Sequence, residues 1–211
     1  ATRGGGHYAT LYTHIDEFVE SLRVVTPAGT LESFRLPGSG AGPSPDRMFI
    51  GSEGTLGVIT EAWMRLRKRP TFRASTSVRF RDFYRAAECV RAIGQSHLYP
   101  ANCRLVDADE AMVNGAGDGS HAILVITFES ADRPQEPAMQ RALEIVRAQG
   151  GEYDEQAPGR EGAQREGAAG QWRDAFIRMP YNREALTSRG IIVETFETAI
   201  TWDRFPDFHA Q

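Results

Sequence analysis

Alternating apolar and polar positions predict three β-strands in the first third of the chain. Residues 19–25 and 30–36 alternate on either side of the turn sequence PAG at residues 27–29, and this arrangement predicts a β-hairpin. Residues 57–70 alternate again and predict a third strand that ends at a proline. The segments before and between these strands are rich in glycine, serine and proline, which indicates loops.

After residue 70 the pattern changes to strands that alternate with helices. Strands are predicted for residues 72–80, 101–107, 121–129 and 190–200, and helices for residues 83–95, 108–117, 134–151, 171–180 and 202–210. Asp82 is the predicted N-cap of the first of these helices. The alternation is compatible with a parallel sheet and with a ferredoxin-like antiparallel sheet, and the pattern alone favours neither.

The change of pattern near residue 70 predicts two domains, residues 1–69 and residues 70–211. Residues 161–170 have a low-complexity Gly/Ala/Glu composition and are predicted to be mobile. The chain opens on loop-like sequence and closes within a helical pattern. We therefore expect it to be a piece of a longer protein, truncated at the C-terminus of its second domain.

Composition narrows the classes of function. The 211-residue chain has a net charge of −4, which argues against a general nucleic-acid-binding protein. No apolar run approaches the ~18 residues of a membrane span, so only peripheral membrane contact stays open. Two cysteines, Cys89 and Cys103, lack C-x-x-C spacing and predict a reducing compartment. We expect a cytoplasmic protein, and the near absence of lysine among its basic residues suggests a bacterial one.

A glycine-rich stretch, FIGSEGTLGVIT at residues 49–60, is the most unusual local sequence. It lacks the spacing and the following helix of a dinucleotide fingerprint, and the chain contains no phosphate-loop, G-x-S-x-G or H-E-x-x-H motif. Glycine permits positive φ and close approach of the main chain to a ligand. Taken alone, the stretch favours a structural turn before a strand.

Longer stretches of sequence favour the ligand-binding interpretation, because they resemble a known family. The words ATRGGG, DEFVESLRVVTPAGTLE and PDRMFIGSEGTLGVITEAWMRLRKRP resemble the second half of the flavin-binding domain of the vanillyl-alcohol oxidase / p-cresol methylhydroxylase family. PANCRLVD and AFIRMPY…VETFETAITWDRF resemble the cap domain of the alkyldihydroxyacetonephosphate synthase branch. The resemblance implies an α+β fold. It comprises the C-terminal half of a PCMH-type FAD-binding domain, followed by a ferredoxin-like α+β cap with an antiparallel sheet and helices.

The resemblance also implies FAD as the cofactor and assigns residues to it. The matching positions are Thr2, Arg3, Gly4, Glu53, Gly54, Thr55, Gly57, Val58 and Ile59. Arg3 would supply charge at the flavin or diphosphate. The alternative for Arg3 is an ordinary solvated side chain near the start of the chain.

Two arginines of the second domain, Arg104 and Arg178, are predicted to bind substrate, and the resemblance to the synthase branch also places Arg104 near the flavin. Arg104 lies among apolar residues on a predicted strand, where a charge is costly without an anionic partner. Arg178 matches an arginine that holds a phosphate or carboxylate, which suits a guanidinium fork. The alternative is a structural ion pair with an acid such as Asp107 or Asp174. No catalytic residue and no metal site are predicted within this chain.

The resemblance implies exchange of an acyl chain for a fatty alcohol on acyl-dihydroxyacetone phosphate, a step of ether lipid synthesis. An FAD-linked 2-hydroxyacid dehydrogenase or oxidase, acting on D-lactate or glycolate, stays open as the rival enzyme. A stand-alone interaction module is the non-enzyme alternative. The implied partner is a small lipid-phosphate or 2-hydroxyacid substrate. A homodimer is also expected, and binding of nucleic acid is not. The isolated chain is expected to be inactive.

Overall fold

The computed structural model describes residues 2–6, 9–12, 14–36, 40, 42–154, 174–175, 177–178, 181, 183–192 and 197–211. The chain divides into two compact units, Ala1–Arg69 and Pro70–Gln211.

Unit 1 is a small antiparallel sheet with short helical turns. Its elements are α1 (Ala9–Tyr12), a 3-10 turn (Ile15–Glu17), β1 (Val19–Thr26), β2 (Gly29–Glu32), α2 (Asp46–Phe49) and β3 (Val58–Met64). The strand order is β2-β1-β3, so the predicted hairpin and third strand are confirmed. One face of the sheet buries Leu22 and Val24 against Phe49 and Ile50 of the α2 region.

The second strand of the hairpin is shorter than predicted, ending at Glu32 and not at residue 36. Ser33 explains the early end, because its hydroxyl takes part in the hydrogen bonding. The amide of Leu22 donates to Ser33 Oγ at 2.9 Å, and Ser33 Oγ donates to Asp46 Oδ1 at 2.6 Å. The side chain of Ser33 thus connects β1 to the start of α2, and the chain leaves the sheet there.

Unit 2 is a four-stranded antiparallel sheet with helices. Its elements are β4 (Phe72–Phe80), α3 (Phe83–Gln95), β5 (Asn102–Val106), α4 (Ala108–Val113), β6 (Ala122–Ser130), α5 (Glu136–Ala148), β7 (Glu152–Tyr153) and α6 (Phe205–His209). The strand order β5-β6-β4-β7 is that of a ferredoxin-like sheet. Helix α4 is an additional element in the connection between β5 and β6. The predicted α+β, ferredoxin-like fold is confirmed.

Helices α3 and α5 cover one face of this sheet because their apolar residues recur every three or four positions. Asp82 caps α3 as predicted, accepting hydrogen bonds from the amides of Tyr84 and Arg85 at 2.8 and 3.2 Å. Gly150, with φ of +79°, follows the end of α5. The main core consists of buried side chains from both helices and from β4 and β6: Ala74, Val78, Phe80, Ala86, Cys89, Ile93, Leu124, Ile126, Phe128, Met139, Ala142, Leu143 and Val146.

The C-terminal helix α6 packs on the start of α3 through aromatic rings. The imidazole of His209 stacks on Phe83, with centroids 4.6 Å apart and planes 19° apart. His209 Nδ1 also lies 3.2 Å from the hydroxyl of Tyr84. These contacts hold the last described residues against the body of unit 2.

Predictions for residues 161–200 have mixed outcomes. The described residues 191–192 and 197–200 form no strand, so the strand predicted for 190–200 is wrong at both ends, and residues 193–196 lie outside the described residues. Residues 174–175 and 177–178 are helical as predicted. The low-complexity segment 161–170 lies outside the described residues. Among the described helices, none combines the length and apolar character needed to cross a bilayer.

Candidate functional site

The glycine-rich stretch forms an exposed bend between α2 and β3. Gly51, Glu53 and Gly54 all have positive φ, at 89°, 51° and 87°. The amide and hydroxyl of Thr55 both donate to the carbonyl oxygen of Ser52, at 2.9 and 2.6 Å. Residues 53–56 are exposed, so the bend is stabilised by its own hydrogen bonds and leaves its main chain accessible.

The predicted FAD-binding residues at the end of this bend have structural roles of their own. A β-carbon on Gly57 would lie 2.8 Å from the carbonyl oxygen of Val25, so glycine is required there for packing on β1. Ile59 packs its side chain on the core of unit 1. Val58 pairs with Val25 through the main chain and exposes 63% of its surface. Within the bend, Glu53, Gly54 and Thr55 therefore offer the most accessible surface for a cofactor.

Arg3 is brought to the same bend. A β-carbon on Gly51 would lie 3.2 Å from the β-carbon of Arg3, so the arginine stem lies against this glycine. Its guanidinium donates twice to Asp16 Oδ2, from Nε at 3.1 Å and from Nη2 at 2.8 Å. Thr2 and Gly4 are both exposed on either side of it. The alternative was an ordinary solvated Arg3. Its side chain is indeed 49% exposed, but an ion pair with Asp16 holds it in place.

Asp16 balances the charge at this place. Its side chain is only 8% exposed, and Arg47 Nε lies 3.9 Å from the carboxylate. The hydrogen bond from Arg3 holds the pKa of Asp16 below its ordinary value, and burial acts in the opposite direction. Two arginines therefore share one carboxylate beside the bend. Exposed main chain with positive φ and the half-exposed guanidinium of Arg3 fit the diphosphate of a dinucleotide.

A groove of about 910 Å³ in unit 1 adjoins this ion pair, because Asp16 and Arg47 are among its lining residues. Its lining includes five carboxylates and two arginines: Asp16, Glu17, Glu20, Glu32, Asp46, Arg47 and Arg65. Most of these acids are already engaged: Glu20 pairs with Arg65, Glu32 pairs with Arg23, and Asp46 bonds Ser33. None of the predicted FAD-binding residues lines the groove.

In unit 2, the sheet face opposite α3 and α5 has an apolar part and a polar part. Val106, Ile123 and Val125 pack there with two alanines, and polar side chains lie beside them. Ser75, Thr127 and Asn102 are in register across β4, β6 and β5, and we call these three residues the polar row. Paired residues of antiparallel strands point to the same face, at strand separations of about 4.8 Å. The hydroxyls of Ser75 and Thr127 are hydrogen-bonded at 2.9 Å. All three side chains are buried, with exposures of 3%, 3% and 8%.

Arg104 lies on the same face, in the row next to the polar row. It is opposite Val125 of β6, which in turn is opposite Ser77 of β4. Arg104 is half-buried and burial lowers its pKa, while the charges of Glu110 and Glu197 act to raise it. Asp107, considered above as an ion-pair partner, caps α4 by accepting a hydrogen bond from the Glu110 amide at 2.7 Å.

Arg178 is exposed in the helical stretch at 177–178, and Asp174 precedes it by four residues. This spacing places the two side chains on one side of a helix, where the alternative of a local ion pair stays open. Among the described residues, no group of three or more His, Cys, Asp or Glu side chains is placed to hold a metal ion. The roles predicted for Arg104 and Arg178 stay predictions.

Sequence reasoning missed the polar row. Its signal was present in the strand FRASTSVRF, where Ser75 and Ser77 recur at a spacing of two on the face opposite Ala74 and Val78. A strand with two unlike faces indicates that something other than apolar packing covers the second face. The neighbours Thr127 and Asn102 become visible only once the register of three strands is known.

Comparisons with known proteins place the chain in a family. Residues 69–211 match the family described as FAD linked oxidases, C-terminal domain. Alkyldihydroxyacetonephosphate synthase of Dictyostelium discoideum is 36% identical over 116 residues, which is 55% of this chain and 19% of that protein. Mitochondrial D-lactate dehydrogenase [cytochrome] of Arabidopsis thaliana is 38% identical over 109 residues, which is 51% of this chain and 19% of that protein.

A solved structure of alkyldihydroxyacetonephosphate synthase matches with a TM-score of 0.75 and 25% identity, covering 98% of this chain and 40% of that one. The chain thus spans less than half the length of each of these relatives. The predicted resemblance to an FAD-linked enzyme family is confirmed. This chain belongs to the FAD-linked oxidases and carries their C-terminal domain at residues 69–211.

Proposed function

We propose that the chain is part of an FAD-dependent enzyme that exchanges the acyl group of acyl-dihydroxyacetone phosphate for a fatty alcohol, giving an ether lipid precursor. One observation carries the proposal: the likeness to a solved synthase extends over 98% of the chain. In sequence, one synthase match extends over 97% of the chain, whereas the matches to D-lactate dehydrogenases extend over 51–72%. A likeness that includes nearly the whole of both units is better explained by a shared reaction than one that leaves out a quarter or more of the chain.

Unit 1 contributes a surface for the cofactor in this proposal. The accessible main chain at Glu53, Gly54 and Thr55 lies against the dinucleotide, and Arg3, held by Asp16, faces its diphosphate. FAD supplies a ring system that accepts and returns electrons. The residues of this chain bind and orient that group, and they exclude water from it.

Unit 2 contributes groups that hold the substrate. Arg104, half-buried on the sheet face opposite α3 and α5, and Arg178 bind the anionic group through charge-assisted hydrogen bonds. A phosphate group has enough oxygen acceptors to bind two guanidinium groups. Since an anion at Arg104 competes with the charges of Glu110 and Glu197, binding requires these carboxylates to be displaced or screened.

The second candidate is oxidation of a 2-hydroxyacid such as D-lactate. The observation that favours it is the 38% identity to D-lactate dehydrogenase. A carboxylate suits Arg104 as well as a phosphate does. In this alternative the substrate loses a hydride to the flavin, and electrons pass onward.

The test uses the full-length protein loaded with FAD. We expect incorporation of radiolabelled fatty alcohol into lipid when acyl-dihydroxyacetone phosphate is added, with none when that phosphate is omitted. In parallel, D-lactate and glycolate are tested with a reducible dye. Dye reduction without incorporation of alcohol would overturn the proposal in favour of the rival reaction.

We further propose peripheral membrane contact, a homodimer and a cytoplasmic location for the full-length protein. Flotation with liposomes tests the first, sedimentation tests the second and cell fractionation tests the third. A lipid-phosphate substrate supports the first of these proposals, because such a substrate resides at a membrane surface.

A further inference from the structure

The amide side chain of Asn102 is buried with its oxygen unsatisfied. Oδ1 of Asn102 has no hydrogen-bond partner among the described residues, and only 8% of the residue is exposed. Ser75 and Thr127, its neighbours in the polar row, bond to each other. Buried polar atoms are almost always paired, because an unpaired one forfeits its bonds to water. An exception of this kind requires an explanation.

The position of Asn102 indicates where a partner would come from. Asn102 and Arg104 are two residues apart on β5, so both point to the same face at a separation of about 6.6 Å along the strand. Arg104 and Ser77, at the two ends of their row, are half-buried, whereas Val125 between them and all three residues of the polar row are buried. A small molecule held by Arg104 therefore has the polar row as the adjoining, buried part of its site.

Thr76 provides a contrast within the same sheet. Its hydroxyl is also buried without a partner among the described residues. However, Thr76 lies between Ala74 and Val78 on the face covered by α3 and α5, within the apolar core. No anionic or cationic group of the core accompanies it, so the orphaned hydroxyl of Thr76 lacks the neighbours of a binding site.

We propose that Asn102 is a substrate-binding residue: its amide oxygen accepts a hydrogen bond from a hydroxyl group of the small anion whose charged group Arg104 holds. The inference deepens the proposed function and rests on it for the role of Arg104. The Ser75–Thr127 pair supports the Asn102 end of the row from β4 and β6. The site thus recognises two features, an anionic group and a neighbouring hydroxyl.

Two sources supply this chemistry, a phosphate ester and a hydroxycarboxylate. Each is tested with a pair of probes that differ by one hydroxyl near the anionic end: 2-hydroxypropyl phosphate against propyl phosphate, and D-lactate against propionate. Calorimetry on the full-length, FAD-loaded protein measures the four dissociation constants. We expect about a tenfold preference for the hydroxylated member of one pair, the gain typical of one buried hydrogen bond.

The variant Asn102→Leu keeps the number and branching of the side-chain heavy atoms of asparagine and removes the oxygen. We expect the preference for the hydroxylated probe to fall below about twofold, with an unchanged or higher thermal midpoint because an unpaired buried oxygen is gone. Thr76→Val is the matched control, since it deletes an orphaned hydroxyl on the other face of the sheet, and it keeps the preference. A role of Asn102 in folding alone would lower the thermal midpoint and leave the preference intact.

The inference and the proposed function fail separately. If fatty alcohol is incorporated but neither probe pair shows a hydroxyl preference, or if Asn102→Leu keeps that preference, the inference is overturned and a buried water is the partner of Asn102. If the preference depends on Asn102 but no alcohol is incorporated, the inference stands and the synthase proposal falls.

Discussion

Gly57 and Val25 lie so close that a single added carbon on the glycine would come within 2.8 Å of the valine carbonyl oxygen. The same hypothetical carbon would lie 2.9 Å from a methyl group of Val24. Gly54, three residues earlier, has open space around it and a φ of +87°. One short stretch therefore contains a glycine required for packing and a glycine required for backbone conformation.

Replacing Gly57 by alanine is expected to lower the free energy of unfolding by about 1–3 kcal/mol, because β1 and β3 must move apart. Urea titration followed by circular dichroism measures the effect. The control is Gly94→Ala in α3, where no atom lies within 4 Å of the added carbon and the helix gains up to about 1 kcal/mol. Equal stability of Gly57→Ala and the parent protein would contradict the packing role.

Replacing Gly54 by valine tests the cofactor surface in the full-length protein. The new side chain stands on the exposed bend and opposes its positive φ, so FAD affinity is expected to fall by about tenfold, equivalent to ~1.4 kcal/mol. Fluorescence quenching on flavin titration gives the dissociation constant. Gly40→Val, also in open space but outside the bend, serves as the control. Unchanged affinity in the Gly54 variant would remove the bend from the FAD site.

Arg3→Gln is expected to raise the pKa of Asp16 toward its ordinary value of about 3.9, since the hydrogen bond from Arg3 is the main cause of the low pKa. Carboxyl carbon shifts in an NMR titration report it directly. Arg47→Gln is the comparison variant and should have a smaller effect, because Arg47 Nε is 3.9 Å away. An unshifted Asp16 in Arg3→Gln would show that the ion pair does not form in solution.

The same pair makes a small contribution to stability that depends on pH. Because the folded-state pKa of Asp16 is lowered, the contribution is present above the unfolded pKa near 4 and is lost as pH falls through the folded pKa. Arg3 is half exposed, so solvent limits the contribution to less than about 1 kcal/mol. Unfolding midpoints of the parent and Arg3→Gln should converge as pH falls below the folded-state pKa of Asp16.

The thiols of Cys89 and Cys103 are expected to resist alkylation at pH 8. Burial raises the pKa of each to about 12, and for Cys103 the neighbouring Cys89 adds to the effect. The thiolate is the reactive form, so iodoacetamide should label both residues only after denaturation, as judged by mass spectrometry. Rapid labelling of the native protein at either position would contradict the burial of these side chains.

The raised pKa values also predict the behaviour of the protein at high pH. A group whose folded pKa exceeds its unfolded pKa stabilises the fold below the unfolded value, near 8.5 for cysteine, and loses that contribution as pH rises toward about 12. We expect the double variant Cys89→Ala, Cys103→Ser to show a flatter decline of unfolding midpoint between pH 8.5 and 10. An identical slope would assign the decline to other groups.

Local pattern was sufficient for most regular elements of unit 2, but it did not predict the short strand β7. The bounds of β4 and α3 agree with the prediction because alternation, an Asp82 cap and helical spacing are all local signals. The strand predicted for residues 190–200 was wrong because its apolar residues have no partner strand at the described positions. Strand pairing is a non-local property that the pattern of one segment does not contain. For the same reason, the order of the four strands was undecided until the pairings were known.

The candidate site, too, could be predicted only in part from local sequence. The sequence predicted the bend and Arg104 from motifs, but not that Gly57 and Ile59 serve the packing of unit 1. It also did not reveal Asn102 beside Ser75 and Thr127, because these residues are 25 or more positions apart and meet only through strand register. Binding residues assembled across strands are invisible to any reading of neighbours along the chain.

The two unlike faces of the unit 2 sheet make this protein a convenient scaffold for engineering. Odd-numbered positions of β4, such as Ser75 and Ser77, point away from the helices, while the even-numbered Ala74 and Val78 anchor them. A library that randomises only Ser75 and Ser77 of β4 would therefore change ligand preference while leaving the core under α3 and α5 untouched. On β6, Ile123 and Val125 belong to a second buried cluster and must be kept.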